Sequence, residues 1–215
     1  MDNFESGKQC CVTDTGALVN LSRIKIARRR AIEWVLEDFC LLIPQKIFDE
    51  GKRNFTRRDN KGRIFYFTTI QQRIYAMGEV CEIVIEQQVE GLEADLKSKI
   101  DSGEQKAAAF AFELSRKRNQ YVLFVTNDFK AIPSLNQIFT TTQSAFVKNA
   151  YELLVFLASR HPSEISLGEI EIAIRELNRM ERDSTKDDDV PMTPDEYMAD
   201  CLRAIQNFPD AFSKI

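Results

Sequence analysis

The sequence predicts an α/β protein in which short buried strands alternate with helices. Its clearest indication is residues 101–128, where an acidic helix start and an alanine-rich amphipathic helix lead through three basic residues into an apolar strand ending at Asn127 and Asp128. A second indication is the apolar run from Cys10 to Thr13, which is followed by Asp14. Functional sites of open α/β sheets form at the carboxyl ends of strands, so these two strand ends predict where a site lies.

The composition allows a substantial core and argues against several classes of protein. At 215 residues with 44% hydrophobic content, the chain suffices for one domain, or for one domain with an extension. No run of about 18 apolar residues predicts a membrane span, so we expect no membrane partner. The acidic, polar start MDNFESGKQC is unlike a secretory signal, and five scattered cysteines without a CxxC spacing are typical of reduced residues in a cytoplasmic protein.

Histidine content and charge distribution narrow the chemistry further. A single histidine argues against zinc-dependent hydrolysis and against a Ser-His-Asp triad, so catalysis would depend on carboxylates. Residues 1–75 carry 14 basic and 9 acidic side chains, whereas residues 76–215 carry 15 and 24. A basic amino-terminal third in an acidic protein favours local contact with an anionic chain.

Strands and helices are predicted to alternate through the first hundred residues. Apolar side chains at helical spacing indicate helices, and short apolar or alternating runs indicate strands. The predicted elements are a strand at 10–13, a helix at 24–38, a strand at 40–44, a helix at 45–52, strands at 64–70 and 81–86, and helices at 71–78 and 88–99.

The rest of the chain is predicted to be largely helical. Capping boxes are expected at Ser102 with Gln105 and at Ser166 with Glu169, and Pro194 suits the first turn of the last helix. The predicted elements are a helix at 101–115, a basic turn at 116–118, the strand before Asn127, a connector at 129–139, and helices at 143–159, 166–182 and 193–207. We therefore predict a domain at 1–139 and a helical extension at 140–215 that serves as a cap or a docking surface.

Residues 51–63 form the most basic segment of the chain. Basic side chains around an aromatic ring suit the phosphates and an unstacked base of a nucleic acid, whereas a solvated loop or hairpin is the alternative for the same pattern. The candidate substrate-binding side chains in it are Arg53, Phe55, Arg57, Arg58 and Lys61.

Acidic residues occupy several positions where strands end or helices begin. Each has a local structural explanation as a turn residue, a surface acid or a partner of the helix dipole. Taken together, they predict a carboxylate metal site, because oxygen ligands without histidine suit Mg²⁺ or Mn²⁺ rather than zinc. The candidates are Asp14, Glu50, Glu104 and Asp128, with Asp101 as an auxiliary and Thr15, Thr126 or Asn127 to orient a ligand or water.

Four segments around these acids carry a family resemblance: VTDTGALVNL, IPQKIFDE, DSGEQKAAAFAFELS and VLFVTNDFKAI, which lie within about residues 9–132. Here the chain resembles the PIN-domain nucleases. The resemblance implies a three-layer α/β/α sandwich with a mostly parallel central sheet, whose acids bind Mg²⁺ or Mn²⁺ and whose site cuts RNA. The basic insertion at 51–70 and the helices beyond Phe139 depart from the family pattern.

The resemblance also implies roles for individual residues. By position, the catalytic acids are Asp14, Glu50, Glu104 and Asp128, and the metal ligands are Asp14, Asp101, Glu104 and Asp128. We expect a metal-dependent endoribonuclease acting on RNA, preferably single-stranded. A toxin or defence role, a neutralising protein partner and a homodimer are left open. The alternative is a catalytically silent PIN-like binding or scaffold module that acts through its helical extension.

Overall fold

The structure is a computed structural model that describes residues 7–57, 63–75, 80–184 and 193–207. Its strands are β1 (Cys10–Thr13), β2 (Lys25–Ile26), β3 (Arg29–Arg30), β4 (Cys40–Leu41), β5 (Ile43–Pro44), β6 (Ile74–Tyr75), β7 (Val122–Val125) and β8 (Ala145–Lys148). Its α-helices are α1 (Thr15–Arg23), α2 (Ala31–Asp38), α3 (Gln45–Arg57), α4 (Arg63–Thr68), α5 (Val80–Glu90), α6 (Ala94–Lys97), α7 (Ser102–Arg118), α8 (Ile132–Thr142), α9 (Ala150–Arg160), α10 (Leu167–Ser184) and α11 (Pro194–Asn207). A 3-10 helix covers Ile70–Arg73.

The central sheet has four parallel strands in the order β4-β1-β7-β8. From β1 the chain first adds β4 on one side and later adds β7 on the other, so the strand order reverses between β1 and β7. Helices flank this sheet, as in a three-layer α/β/α fold. The predicted α/β fold with a mostly parallel central sheet is confirmed.

Helix α7 packs against β1 and β7 at the centre of the sheet. Residues 107–115 are buried without interruption, because the sheet covers one side of the helix and α5 packs on another. Alanine at four of these positions lets the helix approach the strands closely. Asp101 is its N-cap, and Asn119 ends it in the left-handed conformation with φ of 51°. The predicted helix at 101–115 is confirmed, but the predicted basic turn at 116–118 is wrong, because these residues form the last turn of the helix.

The predicted helix at 24–38 is wrong over its first half. Residues 25–30 form the antiparallel hairpin β2–β3, and only Ala31–Asp38 is helical. The two residues at the tip, Ala27 and Arg28, have φ of 50° and 68°. Two consecutive residues of positive φ make a tight hairpin turn, although neither is the glycine or asparagine that usually occupies such a position.

The segment between β5 and α7 is more helical than predicted. The predicted loop at 51–63 begins as the continuation of α3 to Arg57, and the predicted strands at 64–70 and 81–86 fall in α4 and α5. Helix α5 buries Ile85 and Val89, four residues apart, while Ile83 is 56% exposed. Its packing on α7 therefore selects a helical face within a run that alternates like a strand. The predicted helix at 71–78 is replaced by the 3-10 helix and β6 up to residue 75, and its remaining residues lie outside the described ranges.

The carboxyl-terminal part contains one more strand than predicted. Residues 145–148, expected in a helix, are β8 at the edge of the central sheet, and Phe146 is 54% exposed there. Within the predicted connector, α8 begins at Ile132 with a proline in its first turn. The helices predicted at 166–182 and 193–207 are confirmed as α10 and α11. Across the described ranges, no helix is long and apolar enough to cross a membrane.

Candidate active site

The candidate site lies at the carboxyl ends of β1 and β7, where the strand order reverses. Thr13 and Val125 are paired at the ends of the two strands, and the Asp14 N–H donates to the Val125 carbonyl at 2.9 Å. The residues that follow the two strands therefore meet. Such a reversal leaves a crevice outside the strand ends, which is where open α/β sheets bind ligands.

The carboxylate of Asp14 joins the start of α1 to the end of β7. Its Oδ1 accepts from the Ala17 N–H at 2.6 Å, which caps α1. Its Oδ2 accepts from the Asn127 N–H at 2.9 Å and from the Thr126 hydroxyl. Asp14 is only 8% exposed, and this burial raises the pKa of its carboxyl against the opposing effect of the three hydrogen bonds. The negative charge of Asp128 raises it further.

Asp128 closes the turn that follows β7. Its Oδ1 accepts from the N–H groups of Lys130 at 3.0 Å and Ala131 at 3.2 Å, and its own N–H donates to the Thr126 hydroxyl at 3.0 Å. Both side-chain bonds end on Oδ1, so this turn does not use Oδ2. Asp128 is half-buried and acts electrostatically on both Asp14 and Glu104, which places all three acids at one edge.

Asp101 and Glu104 form a capping box at the start of α7. The Asp101 side chain accepts from the N–H groups of Gly103 and Glu104, and the Glu104 carboxylate accepts from the Asp101 N–H at 2.6 Å. The predicted box of Ser102 with Gln105 is therefore wrong by one residue, since the N-cap is Asp101. Asparagine and aspartate are among the strongest N-caps, and serine one position later lies inside the helix.

The pKa values of these two acids move in opposite directions. Burial, the hydrogen bond to Asp101, and the negative charges of Asp101 and Asp128 raise the pKa of Glu104 to about 9. Burial by itself would also raise the pKa of Asp101, but hydrogen bonds from Glu104 and Gly103 and the nearby ammonium of Lys46 lower it below its ordinary value. Glu104 therefore holds a proton at neutral pH when no cation is present.

Glu50 and Thr15 lie on the other flank of Asp14. The Thr15 hydroxyl donates to Glu50 Oε2 at 2.7 Å, so a hydroxyl predicted to contact substrate is engaged by a predicted catalytic acid. Lys46 lies between Glu50 on α3 and the start of α7: its Nζ lies 3.9 Å from Glu50 Oε1 and donates to the Ser102 hydroxyl at 3.4 Å. Lys46 was not predicted, although it lies one helical turn before Glu50.

Asn127 has an internal role instead of the predicted contact with a ligand. Its Oδ1 accepts from the Ala150 N–H at 3.0 Å, and its Nδ2 donates to Glu181 Oε1 at 2.6 Å. Glu181, which is 5% exposed on α10, was missed by sequence reasoning. The signal was present, because Glu181 continues the buried series Ile170, Ile174 and Leu177, where an apolar residue is expected.

The basic segment is only partly described. Phe55 is 1% exposed and packs 4.8 Å from the ring of Tyr66, with the Arg23 guanidinium 4.9 Å from its own ring. Its ring is therefore part of the core, and the predicted stacking on a base is wrong for this residue. Arg53 is exposed on α3. Arg58, Lys61 and the side chain of Arg57 lie outside the described residues.

The carboxylates at this edge are of the chemical type that binds a hard divalent cation, but they are not arranged as a complete set of metal ligands. Carboxylates are the ligands that Mg²⁺ and Mn²⁺ prefer. A cation would relieve the repulsion that raises the pKa of Glu104 beside Asp101 and Asp128. In the part of the chain that the structure describes, however, no group of three or more histidine, cysteine, aspartate or glutamate side chains is arranged to hold a metal ion. Glu104, in particular, folds back onto the Asp101 amide.

The fold class agrees with what the resemblance implies, but comparison with known proteins adds no support for the family. No protein-family model, curated protein or solved structure matches this chain. The PIN-domain family therefore stays a prediction from the sequence.

Proposed function

We propose that this chain is a metal-dependent endoribonuclease of the PIN type, which hydrolyses phosphodiester bonds of single-stranded RNA in the cytoplasm. One observation carries the proposal: Asp14 and Asp128 follow the two paired strands between which the strand order reverses, and the negative charge of Asp128 acts on both Asp14 and Glu104. Such an accumulation of negative charge costs stability unless a cation or a proton offsets it.

Asp14, Glu104 and Asp128 would hold Mg²⁺ or Mn²⁺, with Asp101 beside them. When bound, the ion supplies a water of lowered pKa and neutralises charge on the phosphate. The chain's own residues prepare the site. The Thr126 hydroxyl and the Asn127 N–H fix the Asp14 carboxylate, and Lys46 places a positive charge at the edge where an anionic substrate would arrive.

The second candidate is a non-catalytic PIN-like module. The observation that favours it is the set of three hydrogen bonds that Asp14 accepts, which make this carboxylate a structural tie between α1 and β7. In this alternative the acids stabilise the turns, and the chain acts through a protein partner.

A cleavage assay separates the two candidates. Purified protein is incubated with labelled single-stranded RNA in Mg²⁺, in Mn²⁺ and in EDTA, alongside Asp128→Asn and the control Glu171→Gln. Glu171 is a suitable control because it lies on α10 and pairs with Arg175 at 2.7 Å. We expect cleavage by the wild type and the control with either metal, and none in EDTA or by Asp128→Asn. Cleavage that survives in EDTA or in Asp128→Asn contradicts the proposal, and no cleavage under any condition favours the module.

A further inference from the structure

The side chain of Asn127 is a fixed connector inside the turn that follows β7. Its backbone N–H donates to Asp14 Oδ2 at 2.9 Å, its Oδ1 accepts from the Ala150 N–H at 3.0 Å, and its Nδ2 donates to Glu181 Oε1 at 2.6 Å. A backbone N–H only donates and a carboxylate only accepts, so the orientation of this amide is determined by its partners. The position of the turn therefore depends on Glu181 through the hydrogen bond that the Asn127 side chain donates.

Glu181 holds a second element of the site at the same time. Its Oε1 also accepts from the side-chain amide of Asn20, which lies on α1. Asp14 caps that helix, and the turn after β7 carries Asp128. One buried carboxylate on α10 thus bonds both the helix that follows β1 and the turn that follows β7. A carboxylate this deep requires partners of this kind, because burying it without them would be costly.

Helix α11 packs against the other end of the same turn. The ring of Tyr197 on α11 stacks on Phe129, the residue after Asp128, with centroids 4.6 Å apart and planes inclined by 23°. Helix α11 is itself fixed to α10, because Asn178 Nδ2 donates to Asp195 Oδ1 at 2.7 Å. Residues 127–129 are therefore held on both sides by the carboxyl-terminal helices.

We infer that Glu181 is a positioning residue for the candidate active site. Through Asn127 and Asn20 it fixes the turn carrying Asp128 against the helix capped by Asp14, so α10 is a working part of the site. The consequence for metal binding rests on the proposed function, whereas the effect on the turn does not. Groups that orient ligands from behind in this way typically change metal affinity when they are removed.

The test compares Glu181→Ala, Glu181→Gln and the control Glu171→Ala in two measurements. The first is amide hydrogen exchange in EDTA, read at Asn127 and Asp128 and at the amides of β1 and β7. The second is Mn²⁺ affinity by calorimetry, at a temperature where every variant is folded. Glutamine keeps an oxygen that accepts from both asparagine amides, and Glu171 pairs with Arg175 on the surface of the same helix.

We expect Glu181→Ala to exchange Asn127 and Asp128 roughly tenfold faster, with the strand amides unchanged, because the charged hydrogen bonds that are lost lie at the turn and at α1 and not within the strands. Its Mn²⁺ affinity should fall by about 10-fold to 100-fold. Glu181→Gln should lie close to the wild type, and Glu171→Ala should match it.

Each other result contradicts the inference. Unchanged exchange at Asn127 and Asp128 does so, and so does exchange that rises equally throughout the strands, since Glu181 would then only add general stability. An unchanged Mn²⁺ affinity excludes a role in the site. If the wild type binds no Mn²⁺, the nuclease proposal fails, while the exchange measurement still decides whether Glu181 holds the turn. If Glu181→Ala does not fold, Asn20→Ala replaces it, with a smaller acceleration expected at the same two amides.

Discussion

Two nearly buried aspartates of this protein are compensated in different ways. The side chain of Asp38 is 8% exposed, and its oxygens lie 3.7 Å from the Arg160 guanidinium and 3.1 Å from the His161 ring. Asp14 is also 8% exposed, yet it accepts its bonds from two backbone N–H groups and one hydroxyl. The charged group that acts on it is Asp128, whose sign is the same.

The contrast shows that two similarly buried carboxylates can have opposite electrostatic surroundings. Asp38 has a resident cation, whereas Asp14 and Glu104 lie within the influence of a like charge, that of Asp128. A divalent cation bound near Asp14, Glu104 and Asp128 would supply the compensating positive charge that Arg160 supplies to Asp38.

The largest expected effect is on cleavage. Asp128→Asn keeps an oxygen for the N–H groups of Lys130 and Ala131 but removes the charge, so stability should change little while cleavage falls by at least roughly 100-fold. Asp38→Asn should do the reverse: cleavage should be retained, and loss of the ion pair with Arg160 should cost stability. Because Arg160 is largely exposed, this cost should be only about 1 kcal/mol. Single-turnover cleavage and urea unfolding check both. Equal activity of the two variants would show that the comparison carries no functional information.

Metal-dependent stabilisation is the next largest effect. Mn²⁺ at about 100 times its Kd should raise the unfolding free energy by about 2.7 kcal/mol, or Tm by about 5–10 °C for a chain of this size. The rise should shrink in Glu104→Gln. It should persist in Glu164→Gln, because Glu164 lies 3.6 Å from the ring of His161, which contacts Asp38. Scanning calorimetry measures both. A rise of the same size in the two variants would place the metal elsewhere.

Asp14→Asn should cost stability as well as activity. An amide keeps one oxygen for Ala17, but its nitrogen then faces the Asn127 N–H, so two donors meet in a buried place. We expect a loss of about 1–3 kcal/mol in metal-free urea unfolding, unlike Asp128→Asn. An unchanged unfolding midpoint would mean that the ties between α1 and β7 do not depend on this carboxylate.

Without metal, stability should fall as the pH rises. The pKa of Glu104 is raised in the folded state from an ordinary 4.5 to about 9, and that of Asp14 is raised too. Between those two values Glu104 binds more protons in the folded state than in the unfolded state, so its contribution to stability is greatest below about 4.5 and is lost as the pH rises toward about 9. Glu104→Gln should flatten this slope in EDTA. Urea midpoints at several pH values test it, and an identical slope in both proteins contradicts it.

The position of the site could be predicted because it depends on local patterns. An apolar run that leads within three residues to an acid predicts a buried strand with a carboxylate near its end, and both Asp14 and Asp128 satisfy this. The alanine-rich run before Arg116 likewise predicts a helix that approaches the sheet closely. Parallel pairing of β1 and β7 then brings the two strand ends together.

The remaining features depend on contacts that no local pattern records. Ala27 and Arg28 adopt positive φ without a residue that favours it. Residues 81–86 alternate like a strand, but packing on α7 makes them helical. Asn127 and Glu181 are 54 residues apart, and their bond forms only because α10 folds back over the sheet edge.

The smallest expected effect concerns Arg53, the one side chain of the predicted RNA-binding set on α3 that is both described and exposed. If it contacts a phosphate, Arg53→Gln should weaken RNA binding by a similar factor for every sequence and reduce the salt slope of log K by about 0.7. Arg57, Arg58 and Lys61 can be neutralised in the same way, and their effects should add to it. The rate at saturating RNA should not change, because the carboxylates are untouched. Fluorescence anisotropy at several salt concentrations measures the slope, with Lys97→Gln as the control, since Lys97 pairs with Glu90 on a different helix. Phe55→Ala should instead cost about 3–5 kcal/mol of stability, because its ring is in the core. An unchanged salt slope in Arg53→Gln would leave α3 as a solvated surface and move the contact with RNA to the edge beside Lys46.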